Sequence, residues 1–379
     1  MDLYTLSDTF LANEVIDEFV SAIWTERYSA AGDVQLVVPA TMDNIAKLAP
    51  GTRLALRGTK EVALLETQSI EKNLLTVKGF TLVEFLNERY VWARNATSSA
   101  IDARVIDYSE TNSPGEAIAN LVSLMVINAV PFTSTWEPAN LEWEDDEILF
   151  LSLGAVDTTG ADERFTFPIG PLYDAIASVA KQASVGISLY LDSADPDTGY
   201  VLKFTTYRGQ DRTSDQDVNE LVRLTPQLDS LSEVKELHSI ANYKNVAYVY
   251  YKGEAYVRYA DPSAPVPVGF DRRVLLVNPE KAAVGYGGGA YVTAPELSAF
   301  IDNEAKNALA NYNYIHAIDG QTSPISDYKY GVHYGLGDMI ELEGVTGAIS
   351  KAQVTEYIRS HDQTGEKEYP TIAVVGAET

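Results

Sequence analysis

Short strand-like runs bounded by turn residues dominate both ends of the chain, and this pattern constrains the fold more than any other feature. The runs at 62–70 and 74–77 flank Glu71-Lys72-Asn73, which predicts a hairpin. The same arrangement recurs at 245–259, where Lys252-Gly253-Glu254 predicts the turn. Two strand-rich blocks are therefore expected, one towards each end of the chain.

Between the strand-rich blocks the pattern becomes helical. Ser113 and Glu116 form a capping-box sequence, and Pro114 stands at the first helical position, where its missing N–H costs nothing. Apolar residues at helical spacing predict a second helix over about 171–184, with Gly186 in its C-terminal cap region. A hairpin with its turn at 195–199 follows. This stretch is typical of a small α+β unit.

The C-terminal strand-rich block contains one predicted helix. Thr293 and Glu296 form a second capping-box sequence, with Pro295 between them. The apolar residues that follow recur at helical spacing, which predicts a helix near 293–312. Strand-like runs resume after this helix.

Composition excludes several classes of protein. The chain has 379 residues, enough for two or three domains, and its 46% hydrophobic content allows a sizeable core. A formal net charge of -26 repels free nucleic acid and excludes a conventional DNA-binding role. The absence of cysteine excludes disulfides, thiolate metal sites and a cysteine nucleophile. Neither a signal peptide nor a membrane span is expected, because charges interrupt every apolar run.

Histidine and serine patterns do not indicate catalysis. The four histidines, His238, His316, His333 and His361, show none of the spacings of zinc hydrolases. Ser152-Leu153-Gly154 lacks the sequence of a nucleophile elbow. No catalytic, cofactor-binding or metal-binding residue is predicted, no cofactor is expected, and the chain is predicted not to be an enzyme.

Other polar clusters favour structural interpretations. Asp192, Asp195 and Asp197 resemble an incomplete calcium loop, but Pro196 interrupts it and a hairpin tip is preferred. The acidic run at 142–147 is better explained as a solvated loop than as a glycosidase carboxylate pair. The glycine run 285–289 lacks the Lys-Ser/Thr of a phosphate-binding loop and predicts a turn with positive φ.

Four tyrosines in the C-terminal hairpin allow two interpretations. They could form a sugar-binding stack, or they could lie on strand faces and subunit interfaces, where tyrosine is common because one end is apolar and the other wet. The second interpretation is preferred. The four residues are Tyr248, Tyr250, Tyr256 and Tyr259.

Several short segments are distributed over most of the chain. They are residues 23–28, 31–39, 75–80, 86–89, 202–204 and 243–249, with Tyr207-Arg208-Gly209-Gln210-Asp211-Arg212-Thr213 and Tyr334-Gly335-Leu336-Gly337-Asp338. Through their order and spacing, these segments together resemble the siphovirus Gp37-like, or ReqiPepy-type, minor tail protein family.

The resemblance implies a mainly β fold with α+β elements, in which two tail-tube-like β-barrel domains flank an inserted α+β domain. The first barrel is expected over 1–110, with a returning segment at 225–255. The insertion is expected over 111–224. The second barrel is expected over 256–379 and includes the helix near 293–312.

The resemblance also implies a structural role as a tail-tip or baseplate hub. Three copies would form a homotrimeric ring of pseudo-six-fold symmetry that closes the distal tail tube. Its expected partners are the distal tail protein, the tape-measure protein and tip, fibre or receptor-binding proteins. DNA would pass through without being bound, and an acidic wall would favour that. The expected location is the tail tip of the virion, after synthesis in the host cytoplasm.

Two alternatives come from other functional classes. A tail-associated enzyme that degrades cell wall would require acid and base residues that converge in a cleft. A carbohydrate- or receptor-binding module would require an accessible aromatic patch. A related possibility is the same architecture in a contractile injection device.

Overall fold

The structure is a computed structural model, and it is mainly β, with 45% of residues in strands and 19% in helices. This confirms the mainly β prediction. The structure describes residues 1–91, 93–94, 105–106, 108–127, 148, 150–167, 169–192, 202–251, 253–279, 294–309, 312, 315–322, 326–363 and 365–374. The acidic run 142–147, the hairpin tip 195–199 and the glycine run 285–289 lie outside the described residues.

The strands in chain order are β1 Leu3–Leu6, β2 Ala12–Ile16, β3 Ser21–Arg27, β4 Asp33–Pro39, β5 Arg53–Leu56, β6 Val62–Glu71, β7 Leu74–Thr81, β8 Tyr90–Val91, β9 Ala93–Arg94, β10 Val105–Ile106, β11 Tyr108–Asn112, β12 Leu151–Leu153, β13 Glu163–Phe167, β14 Gly170–Pro171, β15 Gly186–Leu191, β16 Leu202–Tyr207, β17 Arg223–Leu224, β18 Leu231–Ser239, β19 Val246–Tyr251, β20 Glu254–Tyr259, β21 Val274–Val277, β22 Ile315–Thr322, β23 Met339–Glu343, β24 Ile349–Asp362 and β25 Gly365–Val374. The helices are α1 Met42–Lys47, α2 Pro114–Val122, α3 Leu172–Ala183 and α4 Ala294–Leu309. Short 3-10 helices span Glu84–Glu88, Pro226–Leu228 and Gly269–Asp271, and a π-helix spans Ser123–Ile127.

An eleven-stranded sheet forms the largest element. Its order is β17-β23-β24-β3-β4-β7-β6-β5-β1-β2, with β25 paired to β24. Within the described part of the chain no pairing joins β2 to β17, so this sheet is open and no closed barrel is observed. In β4, Val34, Leu36 and Val38 alternate with less buried residues and pack around the buried Trp24.

The hairpin predicted at 62–77 is confirmed. β6 and β7 pair from Ala63 opposite Thr81 to Glu71 opposite Leu74, which leaves Lys72 and Asn73 as a two-residue loop. Both loop residues have positive φ, 50° and 65°. Two consecutive positive φ values are the signature of a type I′ turn, whose twist matches that of paired strands.

In the helical middle segment, the start of α2 agrees with the prediction, whereas the C-terminal cap of α3 does not. Ser113 is the N-cap of α2, and its hydroxyl donates to the Glu116 carboxylate at 2.7 Å. Helix α3 is also confirmed, but the prediction that Gly186 caps it is wrong. Ser184 takes the left-handed conformation instead, with φ 51°, and Gly186 begins β15.

Helices α2 and α3 share a hydrophobic core with β12, β15 and β16. Ile118, Leu121, Ile176 and Phe204 are fully buried in it. β15 and β16 form the predicted hairpin, and β12 lies parallel to β16. The α+β character of this part of the chain is therefore confirmed.

The chain divides into two compact units. One contains Met1–Ser232, Gln321–Glu341 and Ala352–Ala373, and the other contains Glu233–Gly320, Leu342–Lys351 and Val374–Thr379. In the second unit α4 packs Ile301 and Ala305 against Ala247 and Val249 of β19, which confirms the helix predicted near 293–312. The domain boundaries predicted at 110, 224 and 255 stay a prediction.

Candidate functional site

Two motifs that are far apart in the sequence meet in the first unit. The 207–213 segment lies against the 334–338 segment, and Asp211 forms an isolated parallel β-bridge with Met339. A Cβ atom on Gly209 would overlap the carbonyl group of Gly337, and one on Gly337 would overlap the ring of Tyr28. Gly337 also has a φ of 86°, which L side chains rarely adopt. Gly209 is therefore required by the close approach of the two backbones, and Gly337 by its positive φ and by the ring of Tyr28.

Tyr28 joins these segments to the C-terminal end of α3. Its hydroxyl donates to the Ser184 carbonyl at 2.9 Å and accepts from the Gly209 N–H at 3.3 Å. Its ring contacts that of Tyr207 edge to face, with centroids 5.4 Å apart. Burial raises the pKa of the Tyr28 phenol, so the hydroxyl keeps the proton that it donates.

Asp338 fixes the second motif to the first. Its carboxylate accepts from the Gln210 N–H at 2.7 Å, from Arg212 Nε at 2.7 Å and from the Gly335 N–H at 2.9 Å. Its side chain is 7% exposed. A buried carboxylate satisfied by three donors orders both segments.

Replacement of Asp338 by alanine is expected to lower the free energy of unfolding by about 2 kcal/mol, because two backbone donors and the Arg212 guanidinium lose their acceptor. Urea unfolding followed by circular dichroism measures the change. Asp327→Ala, an exposed position nearby in the sequence, is the control and should stay near wild type. Equal effects at both positions would contradict the assigned role of Asp338.

A pocket of about 640 Å³ opens beside this junction. The turn before β6, the ends of β15 and β16 and the 330–338 loop surround it. Aromatic and charged side chains line it together: Tyr190, Tyr207, Tyr330, Glu26, Glu61 and Arg359.

Two buried carboxyl groups and one guanidinium dominate the electrostatics of the pocket. Glu26 forms an ion pair with Arg359, and burial, opposed by Arg359, raises the pKa of Glu26. Burial, reinforced by the charge of Glu26, raises the pKa of Glu61 to about 8. Glu61 is therefore mostly protonated at neutral pH.

Arg359 is held by aromatic rings as well as by Glu26. Its guanidinium carbon lies 4.7 Å from the ring centroid of Tyr357 and 5.6 Å from that of Tyr330. These two rings stack on each other with centroids 3.6 Å apart. Burial raises the pKa of both phenols, so they remain neutral hydrogen-bonding groups.

A larger groove of about 890 Å³ lies along β13 and α3. Phe165, Phe167 and Val179 contribute to its lining. Among the described residues, none of the side chains that line it carries a buried polar atom without a hydrogen-bond partner. Glu61 does carry one, and the smaller pocket is therefore the better candidate for a specific site.

The three histidine side chains that the structure describes each have different partners. His238 contacts Glu236, His333 accepts from the Lys329 N–H, and His361 contacts Phe19 and Glu366. In the part of the chain that the structure describes, no group of three or more histidine or acidic residues could hold a metal ion. Nor does any described helix have the length and apolar character needed to cross a membrane.

The four tyrosines of the C-terminal hairpin divide between two sheet faces. In β19, Val246, Tyr248 and Tyr250 alternate along the strand and lie on one face. Tyr259 of β20 lies directly opposite Val246, so it lies on that face too. Tyr256 lies on the other face, which packs against α4. The interpretation in which all four rings form a single sugar-binding stack is therefore wrong.

The motifs that meet around Tyr28 are those on which the family resemblance rested. The sequence model of the siphovirus ReqiPepy6 Gp37-like protein family matches residues 3–373. The chain belongs to this family. No curated protein sequence matches the chain.

Solved structures that share this fold include three described as tail proteins. The 43 kDa tail protein of prophage MuSo2 from Shewanella oneidensis aligns over 98% of both chains with a TM-score of 0.54 and 11% identity. The tail protein from Neisseria meningitidis MC58 covers 99% of this chain and 96% of its own, with a TM-score of 0.53 and 11% identity. Prophage tail protein gp18 from Listeria monocytogenes EGD-e covers 100% and 96%, with a TM-score of 0.50 and 11% identity.

Proposed function

We propose that this member of the Gp37-like family is a structural subunit of a phage tail, the hub at its distal tip, and not an enzyme. The observation that carries the proposal is a fold shared with tail proteins over nearly the full length of both chains, together with family membership over residues 3–373. In the virion it would lie at the tail tip, after synthesis in the host cytoplasm.

Three copies would form a homotrimeric ring in which the two tail-tube-like barrels are completed. Free strand edges support this proposal. β2 is an edge of the large sheet, and Leu11 and Val15 beside and within it are 68% and 65% exposed. An unpaired edge with exposed apolar side chains favours pairing with another chain.

The acidic character of the chain supports a conduit role. A net charge of -26 disfavours retention of a polyanion, because DNA binding requires neutralising cations. The ring would therefore close the tail tube yet let DNA pass during ejection. Its partners would be the distal tail protein, the tape-measure protein and the tip, fibre or receptor-binding proteins.

Electron cryo-microscopy of intact particles tests the proposal directly. A three-copy ring of this chain at the tail tip, coaxial with the tube, is the expected result. A chain found at the end of a fibre, or no copy at the tip, would overturn it. A ring at the tip of a contractile tail would keep the hub role and correct the type of device.

The ring proposal makes one prediction for the isolated chain. Val15→Arg is expected to convert a trimer into a monomer, because a charge would replace an exposed apolar side chain on the edge strand. Analytical ultracentrifugation measures the mass. Val218→Arg, at a loop residue that is 92% exposed, is the matched control and should stay trimeric. If both variants stay trimeric, β2 does not form the interface.

A further inference from the structure

The pocket beside the Tyr28 junction contains a carboxyl group that the described residues do not fully satisfy. Glu61 is 9% exposed, and its Oε1 accepts from Ser188 Oγ at 3.1 Å. Its Oε2 is buried and has no hydrogen-bond partner among the described residues. Buried polar atoms in native proteins are nearly always paired, so this oxygen calls for a partner beyond the described residues, such as an ordered water or a bound ligand.

Among the described residues, the same pocket contains one cation that pairs with no carboxylate. Arg208, Arg212 and Arg359 pair with Asp157, Asp338 and Glu26. Lys60 is exposed, and within the described ranges no ion pair involves its ammonium group. Its ammonium lies 5.2 Å from the ring centroid of Tyr190. The position is suited to an anionic group of a ligand that also contacts the aromatic wall.

We propose that this pocket binds a saccharide unit that carries a carboxylate. Lys60 would bind the carboxylate, and the Glu61 carboxyl group would hydrogen-bond a ring hydroxyl. Tyr190 and Tyr207 would contact the apolar face of the sugar ring. All the residues that line the pocket belong to one compact unit of one chain.

The mixture of groups distinguishes this ligand from simpler ones. A free metal ion lacks suitable ligands in the described residues. A small inorganic anion could use Lys60 but would leave the tyrosines and Glu61 unused. A sugar acid uses all three kinds of group, since it offers a charge, hydroxyls and an apolar face, and mixed pockets of this kind are typical of small-molecule sites.

Saturation-transfer NMR and titration calorimetry on the full chain at pH 7 test the proposal, with D-glucuronate, D-glucose and inorganic phosphate as probes. Saturable binding of glucuronate, stronger than that of glucose or phosphate, is expected. Lys60→Gln should raise the glucuronate dissociation constant about tenfold or more, as loss of a charge-assisted hydrogen bond does. Lys78→Gln, another exposed lysine outside the pocket, is the matched control.

A pH series isolates the contribution of Glu61. Protonated Glu61 donates to the ligand, and Glu26, Arg359, Tyr207 and Tyr330 are the titratable and charged groups that interact with it. With its pKa at about 8, the wild-type affinity should fall about tenfold between pH 7 and pH 9. Glu61→Gln keeps an N–H donor, so it should bind glucuronate at pH 7 and lose this pH dependence.

Each other outcome would overturn the assignment. No saturable glucuronate binding would remove the site, and equal affinity for glucose would remove the role of Lys60 and the carboxylate. Tighter binding of phosphate would identify an anion pocket instead. An unchanged pH dependence in Glu61→Gln would exclude Glu61 as the donor. None of these results bears on the tail-tip ring, which microscopy of particles tests separately.

Discussion

Gly209→Ala is expected to lower the free energy of unfolding by about 3 kcal/mol or more, one of the two largest effects predicted for this chain. The added methyl would overlap the backbone carbonyl group of Gly337, and a backbone cannot turn away as a flexible side chain can. Relief would require the two motifs to separate, which would break the hydrogen bond from the Gln210 N–H to Asp338. Urea unfolding at pH 7 measures the loss.

Gly335→Ala is the matched control, because it lies in the second motif and makes the same substitution. A Cβ atom there would meet nothing within 4 Å, and its φ is not positive. Its free energy of unfolding should stay within about 0.5 kcal/mol of wild type. Similar losses in both variants would show that close packing at Gly209 is not the cause.

Glu61→Gln is expected to stabilise the protein at alkaline pH, by on the order of 3 kcal/mol at pH 8. Burial raises the pKa of Glu61 from 4.5 to about 8, so the folded state holds a proton that the unfolded state releases. This contribution to stability is fully present below pH 4.5 and is lost as the pH rises through 8. Glutamine has no proton to lose, so the variant should lack that decline.

Chemical unfolding at one-unit steps from pH 5 to pH 9 measures the difference between wild type and variant, which should be small at pH 5 and should grow with pH. Glu66→Gln, at an exposed residue of the adjoining strand β6, is the control and should show a nearly constant small difference. A Glu61→Gln difference that did not change with pH would mean that the folded protein does not hold the proton.

Elements determined by adjacent residues could be predicted from the sequence. The β6–β7 hairpin depends on a two-residue loop, and Lys72-Asn73 adopts positive φ at both positions without help from distant parts of the chain. Helix α2 likewise begins at Ser113, next to the proline that favours a helix start.

Features that depend on distant residues could not be predicted. Gly186 follows a helix, which suggested a cap. Glycine is instead required there because a Cβ atom would lie 2.5 Å from the rings of Tyr28 and Tyr207. Nothing next to Glu61 in the sequence indicates a raised pKa, because the burial that mainly raises it and the charge of Glu26 both come from residues distant in the sequence. The pocket was therefore missed, although several of its residues lie in the motifs that identified the family.

The position of β24 has a consequence for the synthesis of the protein. β24 pairs with β3, Glu356 opposite Arg27 and His361 opposite Ala22, so strands more than 300 residues apart in sequence are neighbours inside the sheet. A nascent chain that has not yet reached β24 leaves one edge of β3 unpaired, with Ile23 and Thr25 ready to pair with any exposed strand. Translation must therefore pass residue 361 before both edges of β3 are paired, and a chain truncated before β24 is expected to aggregate rather than to form a subunit with a complete sheet.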